Sequence, residues 1–68
     1  MDAATLEMVL TAYDETVQDA LSAGRNDVTA HTEGLVAAAM LLAAVTGVED
    51  GAARAEVEAL DPRKRLAA

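Results

Sequence analysis

The feature that most constrains the fold of this chain is a run of fifteen residues without a charged side chain, from Gly34 to Val48. A helix that spans a bilayer needs about 20 apolar residues. The run is shorter than that, and acidic residues close it at both ends, with Glu33 before it and Glu49 and Asp50 after it. These features favour a buried helix in a soluble protein and predict that the chain has no membrane partner.

Residues 28–46 are predicted to form one helix, capped by Asn26 or Asp27 and ended by Gly47. Its apolar side chains are not confined to one side of the helix. One heptad-like stripe, suited to contact with a neighbouring helix, contains Val28, His31, Leu35, Ala38, Leu42 and Val45, and two further faces carry Val36, Met40, Ala43 and Leu41. A helix that is apolar all round has to be covered on every side.

A helical hairpin is predicted for the first two thirds of the chain. Between residues 2 and 23, apolar residues recur at steps of three and four, which is typical of an amphipathic helix, and Asp2 or Thr5 can cap its start. Gly24 and the two residues after it form a link of only about three residues. Because so short a link joins neighbouring elements, the first and second helices are expected to pack as antiparallel neighbours.

The rest of the chain is predicted to add a third, shorter helix. It begins near Asp50 and ends before Pro62, since proline disfavours a helical conformation in the residue that precedes it. We expect residues 1–62 to form a single small helical domain. The basic tail, residues 63–68, is expected to fray.

The chain is too small to bury so much apolar surface by itself. A domain near this length buries only about 60% of the surface that its unfolded chain exposes. The sequence has no cysteine and a single histidine, and 17 of its 68 residues are alanine. Single cores of this size rarely supply more than ~3–5 kcal/mol, and oligomerisation is one remedy. We therefore expect an all-α fold, an antiparallel helical hairpin plus a short third helix, completed by a homodimer as a four-helix-type bundle or by another hydrophobic protein partner. A loosely packed monomeric three-helix bundle is the alternative.

The predicted association surface lies on the second helix. It comprises Leu35, Val36, Met40, Leu41, Leu42 and Val45. On the remaining side of this helix, small residues would let a second backbone approach closely; these are Ala30, Gly34, Ala37 and Ala44.

The charge of the chain predicts a different class of partner for the first helix. Twelve acidic residues against five basic ones give a net charge of −7, and three of the five bases are in the tail. This balance argues against nucleic acid as a partner. The first helix carries five acids and no base, and its candidate recognition charges are Glu7, Asp14 and Glu15. These charges have two explanations. One is contact with a basic protein surface, of which mimicry of a nucleic-acid phosphate array is a special case. The other is an acidity shared by the whole proteome of the organism.

The residues offer little for catalysis or for binding a metal or cofactor. The chain has no cysteine nucleophile, and His31 is the only candidate base of a triad. This histidine lies on the apolar stripe of the second helix, where we expect a half-buried residue opposite Gln18 or Asp19. Neither Asp27 nor Glu33 has the spacing from His31 that a di-iron site requires. We expect no enzyme activity, no cofactor and no metal site.

These features predict a non-enzymatic function through protein–protein interaction, as a regulator, inhibitor or adaptor. The alternative is a structural or accessory subunit of a larger assembly, such as a viral particle or a multi-subunit complex. In size and shape alone, the predicted plan is similar to small bacterial or phage regulators. The N-terminus lacks the basic and apolar regions of a signal peptide, so a cytoplasmic location is expected, with association with a virion as the alternative.

Overall fold

The computed structural model describes residues 1–67, which form four α-helices: α1 (Ala3–Ser22), α2 (Asp27–Thr46), α3 (Asp50–Leu60) and α4 (Pro62–Ala67). The prediction of an all-α fold is confirmed. The described part of the chain contains no β-strand. The first three helices begin and end within one residue of their predicted positions.

Local signals in the sequence set these boundaries. Asp2 caps α1, because its carboxylate accepts a hydrogen bond of 2.7 Å from the backbone N–H of Thr5. Asn26 caps α2 in the same way, with 2.8 Å between its side-chain oxygen and the backbone nitrogen of Thr29. At the other end of α2, Gly47 has a φ of 77°, a left-handed conformation that glycine adopts without steric cost.

Helix α2 lies between α1 and α3 and packs against both. Tyr13 of α1 contacts His31 of α2, whereas Met8, earlier in α1, lies beside Leu41, later in α2. The two helices therefore run in opposite directions. The molecule measures 33 × 24 × 16 Å along its principal axes.

The core lies where α1, α2 and α3 meet, and it contains few large side chains. Its buried members are Val9, Tyr13, Leu35, Ala38, Ala39, Leu42, Ala53 and Val57. Leu42 is fully buried at this junction. Alanine at several contact positions allows the helix axes to approach closely, since interaxial distance depends on the side chains at the contact.

Helix α1 lies against the backbone of α2 at Gly34. A Cβ atom on this glycine would be 2.7 Å from Val17 Cγ2 and 2.8 Å from Tyr13 Cδ1, so glycine is required for this packing. Ala30, one turn earlier, is also buried. The spacing of small residues predicts Ala30 and Gly34 on a surface for a second chain. The structure corrects that assignment, because this part of α2 is covered within the chain.

The C-terminal residues, for which we expect fraying, form a further helix in the structure. Asp61 has a φ of 51°, which ends α3, and Pro62 is buried and begins α4. Proline suits a first helical position because the N–H it lacks would have no helical partner there. Arg65 Nε donates a hydrogen bond of 2.9 Å to the carbonyl oxygen of Leu60. Residues 63–67 of the predicted tail are thus helical, and its last residue, Ala68, lies outside the described residues.

Candidate functional site

One face of α2 is covered by neither α1 nor α3. We call it the open face; it consists of Val36, Ala37, Met40 and Ala44, which lie within about 100° of one another around the helix axis. Met40 is 66% exposed and Val36 is 42% exposed, although both lie well inside a 20-residue helix. The open face belongs to the uncharged run that begins at Gly34. It is an apolar surface without a charged side chain of its own.

Grooves flank the open face on both sides. Towards α1, a groove of about 540 Å³ is lined by Met8 and Leu41, together with Glu7 and Glu15. Towards α3, Val36 and Met40 line a smaller groove of about 210 Å³ together with Asp50 and Arg54. The open face therefore borders two depressions that combine apolar and charged side chains.

The predicted association surface is only partly accessible in this fold. Val36 and Met40 belong to the open face, and Leu41 is half-buried at its edge. Leu35 and Leu42 are buried in the core of the chain, with 6% and 0% of their surface exposed. Their assignment to a surface for another chain is therefore corrected.

Val45 is exposed, but it lies away from the open face. It follows Val36 by nine residues, which places the two side chains on opposite sides of the helix. Val45 therefore cannot share one contact surface with Val36 and Met40.

The three candidate recognition charges do lie together. Glu7, Asp14 and Glu15 are exposed and line a groove of about 440 Å³ between α1 and α4. The apolar lining of this groove includes Leu6, Leu10 and Leu66; the sequence analysis did not identify them as site residues. Leu66 follows Pro62 by four residues, which is a helical spacing that could have indicated α4 and its contact with α1.

The carboxylates of this groove have no basic partner among residues 1–67. The two ion pairs in that range are elsewhere, between Arg25 and Glu33 at 2.9 Å and between Arg54 and Glu58 at 3.3 Å. Neither pair includes a residue of α1. The negative charge of α1 is therefore not neutralised by contacts within the described chain.

His31 is held by Tyr13, not by the residues expected from the sequence. The Tyr13 hydroxyl oxygen lies 2.6 Å from His31 Nδ1, and the two rings meet edge to face with centroids 5.6 Å apart. The expectation of Gln18 or Asp19 as neighbours is corrected, because the hydrogen-bond partner is Tyr13 and both of these side chains are exposed. The pair links α1 to α2.

Among residues 1–67, no group of three or more His, Cys, Asp or Glu side chains is placed to hold a metal ion. By length and composition, α2 could cross a membrane, although core helices of soluble proteins meet the same criterion and a third of its most apolar stretch is buried against the rest of the chain. Comparisons of this chain with models of protein families, with curated proteins and with solved structures gave no match.

Proposed function

We propose that this protein acts without enzymatic chemistry, through protein–protein association, and that a second copy of the chain covers the open face of α2. The observation that carries the proposal is the exposure of Met40 and Val36 in the middle of a helix that is apolar on every side. Covering these side chains removes apolar surface from water, which stabilises the complex by roughly 25 cal/mol for each Å² buried.

The side chains of the open face support a second copy as the partner. Within the open face, Ala37 and Ala44 lie on either side of Met40. In a two-fold pairing, Met40 of one copy could enter the space between these small residues of the other copy.

The charge distribution also permits self-association despite the net charge of −7. The four residues of the open face are uncharged. The nearest acids lie around it: Glu33 is one turn earlier on α2, and Asp50 lines the groove towards α3. The acids remain at the periphery, where salt screens them. Two copies of α1 and α2 would then form a four-helix arrangement. We infer an adaptor or regulator that works as such a dimer.

The proposal is tested by measuring the mass of the protein in solution by light scattering, at several protein and salt concentrations. Met40→Glu places a charge in the proposed interface, and Val28→Glu places the same charge in the first turn of the same helix, where Val28 is 76% exposed. We expect dimers of the natural protein and of Val28→Glu, and a folded monomer of Met40→Glu with the helical circular dichroism of the natural protein.

Two results would overturn the proposal. A natural protein that is folded and monomeric at millimolar concentration would exclude the second copy and favour an unlike chain as the cover, as in a subunit of a larger assembly. A dimer that persists in Met40→Glu would show that the contact lies elsewhere on the molecule.

A further inference from the structure

The groove between α1 and α4 is a second surface. We call it the α1–α4 groove; its lining residues are Ala3, Leu6, Glu7, Leu10, Thr11, Asp14, Glu15 and Leu66. Glu7, Thr11 and Glu15 line both this groove and the groove that flanks the open face of α2. We propose that the α1–α4 groove binds a basic amphipathic helix of another protein, with apolar side chains in the groove and Lys or Arg on its acidic edge.

The groove has an apolar base that can hold side chains of a partner. Leu6 and Leu10 are one turn apart on α1 and half-buried, and Leu66 of α4 faces the same space with 45% of its surface exposed. Its volume of about 440 Å³ is within the range of ligand sites, roughly 300–1,000 Å³. The groove is open along its length, a shape that suits a helix laid along it.

The charges at the edge of the groove specify the chemistry of the partner. Glu7 and Asp14 are seven residues apart, so they lie on the same side of α1, about 10 Å apart along its axis. Glu15 adds a third carboxylate to the lining. Since these carboxylates have no ion pair within residues 1–67, a partner that brings positive charge gains attraction without first breaking an internal contact. The same charges repel nucleic acid and anionic lipid surfaces.

The chain itself places a basic helix with an apolar residue beside this groove. In α4, Leu66 lines the groove and follows directly after Arg63, Lys64 and Arg65. The two arginines of α4 donate to backbone carbonyls, Arg63 to Asp27 at 3.4 Å and Arg65 to Leu60 at 2.9 Å. Neither forms an ion pair with the acids of α1 in the described structure. Helix α4 thus shows that a short basic segment with one apolar residue can lie at one side of the groove. The acids of α1, on the other side, form no ion pair with it and are available to a partner.

These dimensions define the partner helix. The groove extends along α1 from Ala3 to Glu15, a rise of about 18 Å, which corresponds to about twelve residues of a partner helix. Basic residues seven apart on that helix would match the spacing of Glu7 and Asp14. Apolar residues three or four positions from them would then point towards the leucines of the groove.

The inference does not depend on the second copy proposed above. All lining residues of the α1–α4 groove belong to α1 or α4, whereas the open face belongs to α2. A Met40→Glu monomer is therefore expected to bind the basic helix as tightly as the natural protein does. A protein that dimerises but does not bind the basic helix would contradict only this inference. A protein that binds the helix but does not dimerise would contradict only the proposed function.

The experiment uses a synthetic alanine-based helix of about 16 residues as the probe, with Arg seven residues apart and Leu between them on the same face. Binding to the full chain is followed by chemical shifts of the labelled protein. We expect saturable binding with a dissociation constant below about 1 mM, shifts that concentrate in residues 3–15 and at Leu66, and weaker binding as salt is raised.

Paired charge reversals provide the control. Glu7→Lys with Asp14→Lys should weaken binding at least fivefold at low salt. Asp19→Lys with Glu56→Lys changes the net charge by the same amount at exposed positions outside the groove, and it should leave most of the affinity intact. A probe with Glu in place of its Arg residues should not bind.

Three outcomes would overturn the inference. The first is the absence of binding at millimolar probe, and the second is an equal loss of affinity in both double variants, which would indicate a general charge effect. The third is a set of chemical shifts centred on the open face of α2, which would place the probe on the other surface.

Discussion

The hydroxyl oxygen of Tyr13 and the Nδ1 atom of His31 lie 2.6 Å apart and connect the middle of α1 to the N-terminal half of α2. Tyr13 is 3% exposed and is the only aromatic residue in the sequence. The ring of Tyr13 therefore packs between the two helices, and its hydroxyl makes a polar contact that fixes how far α1 is shifted along α2.

Replacement of Tyr13 by Phe tests this contact. Tyr13→Phe keeps the ring but leaves the partly buried Nδ1 of His31 without its partner, and we expect a loss of about 1 kcal/mol in the free energy of unfolding. Urea denaturation measures this change. In a double-mutant cycle with His31→Leu, the effect of Tyr13→Phe should largely disappear. Equal effects in both backgrounds would contradict the contact.

Replacement of Gly34 by Ala tests the close approach of α1 and α2. Alanine is favoured over glycine within a helix by about 1 kcal/mol. The new Cβ would nevertheless meet Val17 Cγ2 at 2.7 Å, so we expect a net destabilisation of about 1–2 kcal/mol, read from thermal or urea unfolding. Val17→Ala in the same chain removes one of the clashing atoms and should restore part of the stability. A Gly34→Ala protein more stable than the natural one would show that α1 does not pack here.

Truncation should destabilise the protein strongly at Leu42 and hardly at all at Met40, although the two residues are only two positions apart on the same helix. Leu42→Ala leaves a cavity in the core and should cost about 2–5 kcal/mol. Met40→Ala should change the unfolding free energy of the monomer by less than about 0.5 kcal/mol, since its side chain is 66% exposed. The Met40→Glu background keeps the chain monomeric for the comparison at Leu42 if the proposed dimer is correct. Similar costs at both positions, measured at low protein concentration, would contradict the orientation of α2.

Asp2 should make the first turn of α1 sensitive to acid. The backbone N–H of Thr5 donates to the Asp2 carboxylate and holds its pKa below the usual value of 3.8. A lowered pKa in the folded state means that the cap stabilises the helix above about pH 4 and that this stabilisation is lost as the pH falls through the folded-state pKa.

Asp2→Asn provides the control for this acid sensitivity, since asparagine caps a helix but does not titrate in this range. Amide chemical shifts of residues 3–6 between pH 2 and 6 should show a titration in the natural protein that is missing in Asp2→Asn. The same titration in both proteins would assign it to another carboxylate.

The helix boundaries were predictable from the sequence because their causes are local. The capping oxygens of Asp2 and Asn26 act on N–H groups three residues away, and Gly47 supplies its own left-handed conformation. The short link after α1 likewise predicts the hairpin. Helix α4 was not predicted, because six residues have little helical stability alone and this helix depends on contacts of Pro62 and Leu66 with the rest of the chain.

The orientation of α2 was decided by the tertiary structure. The sequence pattern placed Leu42 on the stripe that faces a neighbouring helix and Met40 on another face. Because α2 is apolar all round, that pattern could not show which of its further faces would stay uncovered. The positions of α1 and α3 determine which side is covered. The acidic charge of α1 was visible in the sequence, because five acids and no base lie between residues 2 and 23.

The apolar base beside those acids could be recognised only in three dimensions. Leu66 is more than fifty residues from Leu6 and Leu10, and α4 has to fold back along α1 before the three leucines share a groove. The sequence by itself thus determined the helices, their ends and their charge, since these properties depend on residues within one or two turns. Which apolar side chains are buried and which remain for a partner was decided by contacts between distant segments, and no local pattern encodes those contacts.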